Sequence, residues 1–405
     1  MAKKKITTKI TEFFQRIFFI LIKTVLLPYV FIFHRVRFKR NKIKIPKEPC
    51  IFMSNHQSNW DAIYMEIMFF HRVIHVLAHD ELFQNRLFAF IAGHILGCVK
   101  RGDGKNDLSA IKNIVNLKKR GKNIAIYPEG DINPFGRLLP VDDGIAKLAQ
   151  KLNMPIVLLR INGAYLRNPR WGKKLRRSKI IYSVRRVITP QEAKAMSVQE
   201  LYKAIIDGIN YDEMEYVKAK GAKVRRRTRR ANYLERCLFY CPNCNALHTL
   251  KTVNNQIKCT NCGFSAKLTS SYFFKSNYEC CPVDPSKWDD LQRRLLPDIL
   301  NGLDKSKPIV TLEKARLYVT ARRTFFNGRH DVGTANLYFD KIEYRNRNGY
   351  LTVIPFDIIH TASLEYKSTL QIKTEHVKFR ISRKKRHIWS AYMWVNIINY
   401  LLSNK

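Results

Sequence analysis

His56 and Asp61 stand five positions apart, directly after the apolar run Cys50-Ile51-Phe52-Met53, and that spacing restricts the local fold. On a continuous α-helix two such residues point roughly 140° away from each other and could not act together. They meet if the apolar run is a strand, Asn55-His56-Gln57 is the turn after it, and a helix begins near Ser58, with Asp61 in its first turn facing back. Asp61 then accepts a hydrogen bond from one imidazole nitrogen, fixes the tautomer, and leaves the other nitrogen to take a proton from a hydroxyl near neutral pH. The string Ser58-Asn59-Trp60-Asp61 also reads as a capping-box variant, with Ser58 as N-cap and Asp61 satisfying backbone donors, and the two readings are compatible.

Three further strings follow in order. Gly97-Cys98-Val99-Lys100-Arg101-Gly102 is an apolar strand closed by an arginine, which can hold a phosphate bidentately or form a solvated basic turn. Gly121 to Gly130 is a buried-strand pattern running into Tyr127-Pro128-Glu129-Gly130, followed by Gly136 and Leu138. By itself Pro-Glu-Gly is an ordinary turn after a strand. Asn153 to Leu159 is an apolar strand opened by Pro155, where no ladder donor is needed, and Ile161-Asn162-Gly163 follows it.

Taken together, His56-Gln57-Ser58-Asn59-Trp60-Asp61, Gly97 to Gly102, Tyr127 to Gly130 and the Pro155 strand resemble the signature blocks of the glycerophospholipid acyltransferases, the kind that esterifies lysophosphatidic acid. The resemblance implies an α/β acyltransferase domain. It would move a fatty acyl group from acyl carrier protein or coenzyme A to 1-acyl-glycerol-3-phosphate, giving phosphatidic acid. It makes His56 the general base and Asp61 its orienter, sets Arg101 on the acceptor phosphate, and has Glu129 and Gly130 shape the acceptor pocket. A thioester already carries an activated acyl group, and no nucleophile stands beside His56, since Ser54 and Ser58 fit turn and cap roles. Two departures bear on the acceptor. Asp131-Ile132-Asn133 stands where the family has Thr-Arg-Ser, and Asp142-Asp143 precedes Gly144 where a lysine is common. Arg137 is near enough in sequence to substitute for the missing cation, and another phosphorylated acceptor, such as glycerol 3-phosphate, is the second enzymatic reading.

The balance of 73 Lys and Arg against 32 Asp and Glu, a formal charge of +41, draws the chain to anionic surfaces, phospholipid or nucleic acid. Residues 13–33 are nearly all apolar, interrupted by Gln15-Arg16, Lys23-Thr24 and Pro28, with basic residues on both flanks and no small-residue cleavage site after them. A spanning helix would bury Lys23 near its centre at roughly 3 kcal/mol. The expectation is therefore a helix pair bent at Pro28, lying in one leaflet at the cytoplasmic face of the cell membrane with Lys23 snorkelling; a single span is the alternative.

Cys241-Pro242-Asn243-Cys244 and Cys259-Thr260-Asn261-Cys262-Gly263 are two Cys-x-x-Cys knuckles fourteen residues apart, the spacing of a zinc ribbon with a closed structural Zn²⁺ site. Ribbons often bind nucleic acid, so a membrane-tethered RNA-binding protein with an inactive acyltransferase-like half is the reading of a different class. Tyr233, Phe239 and Tyr240 would be its stacking residues. Strand patterns at Ala315 to Thr320, Thr334 to Phe339, Lys341 to Tyr344, Tyr350 to Pro355, Thr369 to Thr374 and Val377 to Ser382 precede a helix striped with Trp389, Met393, Trp394, Ile397, Ile398 and Leu401. That pattern resembles a pleckstrin-homology or GRAM-like β-barrel closed by a helix. Arg345, Arg347, Lys373, Lys378 and Arg380 are candidate contacts to anionic lipid. The expected organisation is N-terminal membrane-associated helices over 1–45, the acyltransferase domain over 46–215, a basic linker over 216–235, the zinc ribbon over 236–268, a connector over 269–310 and the PH/GRAM-like domain over 311–405.

Overall fold

The computed structural model describes residues 17, 19–78, 98–100, 108–224, 229–321, 331–383 and 388–404. Arg101 and the centre of the basic run, 225–228, lie outside the described residues. The chain forms two units, one of residues 1–169 with 177–222, the other of 170–176 with 223–405.

In the first unit, seven strands are arranged in the order β1-β7-β6-β2-β5-β3-β4. They are β1 (Val36–Lys39), β2 (Ile51–Ser54), β3 (Ile74–Ala78), β4 (Val99–Lys100), β5 (Asn123–Ile126), β6 (Ile156–Asn162) and β7 (Ile180–Ile188). The central strands β6, β2, β5 and β3 are parallel, and β7 runs antiparallel to β6. Their near-continuous apolar sequences suit a sheet covered on both faces. Phe52, Ala125 and Val157 pack with Tyr64, Met65 and Met68 of helix Asp61–Met68. On the opposite face Ile51, Met53, Ile124 and Leu158 pack with helices Leu108–Lys119, Gly144–Leu152 and Val198–Ile209. Ser197 opens the last of these through a reciprocal capping box with Glu200, as its sequence suggests.

The N-terminal segment corrects the expectation for Lys23. Residues 19–28 are helical, and the chain passes Pro28 into a π-helical turn, Tyr29–Phe33, closed by His34 N–H donating to the Tyr29 carbonyl at 3.2 Å. Helical geometry continues on both sides of Pro28, so one helical run replaces the expected pair. Phe19, Lys23, Val30 and His34 form its buried side. Lys23 is 3 % exposed. Its ammonium pairs with Glu66 at 2.7 Å and donates to the carbonyls of Phe70 (3.1 Å) and Arg72 (2.5 Å), so it anchors the segment to the domain and does not snorkel. Ile20, Leu21, Val25, Ile32 and Phe33 are exposed on the other side. No helix among the described residues is long and apolar enough to cross a membrane.

In the second unit, Leu250–Val253, Gln256–Cys259, Ser265–Leu268 and Phe274–Lys275 form a four-stranded antiparallel sheet, which extends the ribbon beyond its expected end. A seven-stranded antiparallel sheet follows, and it includes Thr361–Glu365, a strand absent from the sequence reading. Its order begins at Leu351–Pro355 and ends at Thr361–Glu365, and among the described residues no ladder joins these two strands. Helix Ala391–Ser403 buries Met393, Trp394, Ile397 and Ile398, the expected stripe. One core joins Phe239 and Tyr240, just before the first knuckle, Leu296 and Leu300 of helix Pro285–Asn301, and the seven-stranded sheet. The ribbon, the connector and the seven-stranded sheet therefore lie in one unit together with 223–235, while 216–222, the start of the expected linker, belongs to the first unit. Within 216–235, Lys218 to Lys220 ends a helix and Arg230 is buried.

Removing one partner of a buried ion pair leaves the other charge stranded. Lys23→Met is expected to lower unfolding stability at pH 8 by about 3 kcal/mol, with much of the loss recovered by adding Glu66→Gln. Equilibrium denaturation of the single and double variants measures this.

Candidate active site

β2 and β5 are adjacent and parallel, so the loops after them leave the same edge of the sheet. His56 lies on the first loop and Tyr127 to Gly130 on the second. Asn55 fixes the first loop onto β6: its amide donates to the Ile161 carbonyl at 2.9 Å and its oxygen accepts from Ile161 N–H at 2.8 Å.

The strand–turn–helix arrangement that the His–Asp spacing requires is present. His56 Nδ1 and Asp61 Oδ2 are 3.0 Å apart. The same oxygen accepts from the backbone of Gln57 (2.5 Å) and Ser58 (2.8 Å), and Oδ1 accepts from Ser58 Oγ at 2.6 Å. The helix begins at Asp61 itself, after Trp60, so Ser58 is not its N-cap; of the expected capping box only the Asp61 half forms, its carboxylate accepting from the Ser58 backbone N–H. Asp61 is fully buried and the His56 side chain is 22 % exposed. An ionised carboxylate only accepts, so Nδ1 carries the proton and Nε2 is left with its lone pair.

The second loop holds His56 in two ways. The Tyr127 ring stacks on the imidazole, with centroids 4.5 Å apart and planes inclined by 26°. Glu129 accepts from His56 N–H through Oε1 at 2.6 Å and from Leu139 N–H through Oε2 at 2.8 Å. Gly130, at φ +69°, closes the turn by donating to the Tyr127 carbonyl at 3.0 Å, a conformation suited to glycine. Burial pushes the Glu129 carboxyl up to about 7, against the two amides and the neighbouring imidazole, which favour its ionised form. Both Glu129 oxygens thus serve the loops. Tyr127 and Asn55 drew no role from the sequence because their partners, His56 and Ile161, are distant in the chain.

The divergent positions have local explanations. Asp131 accepts from Ile132 N–H and Asn133 from Phe135 N–H, each at 2.7 Å, so Asp131-Ile132-Asn133 builds its own turn. Asp142 accepts from Gly144 N–H at 2.8 Å, at the start of helix Gly144–Leu152. The Arg137 backbone bridges to Asp212.

In the second unit, the sulfurs of Cys241, Cys244, Cys259 and Cys262 lie within 4.8 Å of one another. Cys241 and Cys262 are 3.7 Å apart, as are Cys244 and Cys259. Tetrahedral Zn–S bonds of about 2.3 Å set sulfurs about 3.8 Å apart, so the group fits a zinc ion. Gly263, at φ +73°, makes the turn after the second knuckle.

Residues 35–162, less than half of the chain, match the family model Acyltransferase, and the first unit, which contains them, is of mixed α/β content. The chain is similar to the 1-acyl-sn-glycerol-3-phosphate acyltransferase BAT2, chloroplastic, of Brassica napus, at 29 % identity over 123 residues, covering 28 % of this chain and 33 % of that one. It is also similar to a 1-acyl-sn-glycerol-3-phosphate acyltransferase of Pseudomonas aeruginosa, at 27 % over 136 residues, covering 32 % and 51 %. The chain spans about half the length, or less, of these curated relatives. Among solved structures, the 1-acyl-sn-glycerophosphate acyltransferase of Thermotoga maritima aligns with a TM-score of 0.38 at 18 % identity, covering 52 % of this chain and 98 % of that one.

A carboxyl whose pKa is raised on folding binds its proton more tightly in the folded state, so its contribution to stability declines as pH rises. For Glu129 the window runs from the ordinary value of 4.5 to about 7. The stability of the wild type relative to Glu129→Gln is expected to fall across this window with a slope of up to about 1.4 kcal/mol per pH unit. Urea unfolding of both proteins between those limits tests it.

Proposed function

We propose that the first unit transfers a fatty acyl group from acyl carrier protein or coenzyme A to the free hydroxyl of 1-acyl-glycerol-3-phosphate, giving phosphatidic acid. The observation that carries this reading is the 3.0 Å His56–Asp61 pair, buried on the aspartate side and open on the imidazole side. His56 Nε2 takes the hydroxyl proton while the hydroxyl oxygen attacks the thioester carbonyl. The tetrahedral intermediate then collapses, expelling the carrier thiolate, which takes the proton back from the imidazolium. Asp61 holds the tautomer and balances the transient positive charge. Tyr127 presents its π-face to the same ring, where a positive charge is also favoured. Arg101 is assigned to the acceptor phosphate. Glu129 and Gly130, first assigned to the acceptor pocket, support it through the loop that holds His56.

The acceptor and product are lipids, and the exposed Leu21, Val25, Ile32 and Phe33 give the N-terminal segment an apolar side to enter one leaflet. We assign the protein to the cytoplasmic face of the cell membrane as a monotopic or peripheral enzyme. The +41 charge favours anionic phospholipid there. We assign a structural zinc ion to the four cysteines and a PH/GRAM-like fold to the last sheet and helix. Four thiolates leave no open position on zinc, so the metal stands outside the reaction.

Labelled acyl transfer to lysophosphatidate in anionic vesicles tests the reading. His56→Ala is expected to lower kcat by about 10²–10⁴-fold, and Tyr127→Leu to lower it while Tyr127→Phe keeps most of it. Absence of product with either donor, and with glycerol 3-phosphate as acceptor, while the protein binds RNA tightly would favour the ribbon-based reading instead. Elemental analysis of purified protein is expected to give one zinc per chain, lost in Cys259→Ser together with a lower melting temperature.

A further inference from the structure

The excursion Arg170–Arg176 packs with the second unit and sets a Trp-Gly pair among cations. Arg236 Nη1 donates to the Trp171 carbonyl at 3.3 Å, and Lys367 Nζ donates to the Gly172 carbonyl. The Arg176 guanidinium lies 4.4 Å from the centre of the Trp171 ring. Carbonyl acceptors satisfy these hydrogen bonds and cancel none of the charge. Glu235 is beside Arg236 in sequence, but its carboxylate accepts from the Thr252 hydroxyl and, at 3.3 Å, from the Thr252 N–H. Burial, with Arg236 and Arg176 close by, pushes the Lys367 ammonium down to about 8.

Two buried donors in the same group have no acceptor among the described residues. They are Nε of Arg236, a residue 8 % exposed, and Nε1 of Trp171, which is fully buried. Burial opposes the charge of Arg236, which the nearby Glu235 carboxylate offsets only in part, and Lys367 is half-buried; with unmatched N–H groups beside them, the cluster suits an anion. The donors come from three separate stretches: the excursion, the turn ending at Arg236, and the turn after Thr361–Glu365. A tetrahedral group with several acceptor oxygens matches that spread better than a planar carboxylate does.

We propose that Lys367, Arg236 and the Trp171 indole form a binding site for a phosphate group. The site is independent of the acyl-transfer reading and of the cysteine cluster. The group could arrive as free phosphate or on a lipid headgroup, and the chemistry of recognition is the same.

The test titrates inorganic phosphate into the full-length, zinc-loaded protein at constant ionic strength set with chloride, following tryptophan fluorescence and melting temperature. A saturable response and a melting temperature higher than in chloride are expected. Lys367→Met should weaken phosphate binding about tenfold or more, while Lys367→Arg retains it. A parallel titration with a soluble short-chain phosphatidate identifies the source: competition with phosphate admits the headgroup, and its failure restricts the site to the free ion. Identical behaviour in phosphate and chloride, or a full response in Lys367→Met, would overturn the proposal. The wild-type comparison decides it even if that variant does not fold.

Discussion

Asp61 is buried at the first position of its helix, and its two oxygens take four hydrogen bonds: from the His56 ring, from the backbone of Gln57 and Ser58, and from the Ser58 hydroxyl. A carboxylate out of contact with water needs such donors to remain charged. The donors in turn are held in one geometry by it. The tight turn over 55–60 is therefore defined by one side chain, and the direction of the imidazole follows from that turn. Little side-chain freedom therefore remains in the imidazole.

The sheet supplies the second constraint. Because β2 and β5 are parallel neighbours, Glu129 reaches His56 across 73 residues of sequence and Tyr127 meets its ring. The Tyr127–Gly130 turn works as a clamp with two jaws, a carboxylate on the backbone and an aromatic face on the side chain. Lys23 plays a related part at the sheet's other loops. Its pairing with Glu66 and two carbonyls turns one side of an apolar helix toward the domain and leaves the opposite side apolar and exposed. The cost of burying that ammonium is met by its partners, so a charge in the middle of an apolar run fixes orientation.

In the second unit, the first knuckle is built into the neighbouring core. Trp288 Nε1 donates to the Tyr240 carbonyl at 2.9 Å, and Gln292 bridges Phe239 N–H and the Cys237 carbonyl. Asp289 accepts from Tyr392 at 2.9 Å and pairs with Arg293. Helix Pro285–Asn301 thus links the cysteine cluster to the terminal helix, and a metal bound at the cysteines would brace the sheet as well as the ribbon.

Short-range order determined much of this by itself. The five-residue interval between His56 and Asp61 admits one local geometry if the pair is to meet, the uninterrupted apolar strands imply a sheet covered on both faces, and two knuckles of matching form place four thiols together. Such features depend on spacing and periodicity, which a chain carries before it folds. The partners across long separations were decided only by tertiary structure. Lys23 found Glu66, Asn55 found Ile161, Glu129 found the His56 backbone, and the strand Thr361–Glu365, with its mixed pattern, was defined by its pairing with Thr369–Lys373. In each case the deciding quantity is the burial of a polar group, and no window of sequence records which distant donor will satisfy it.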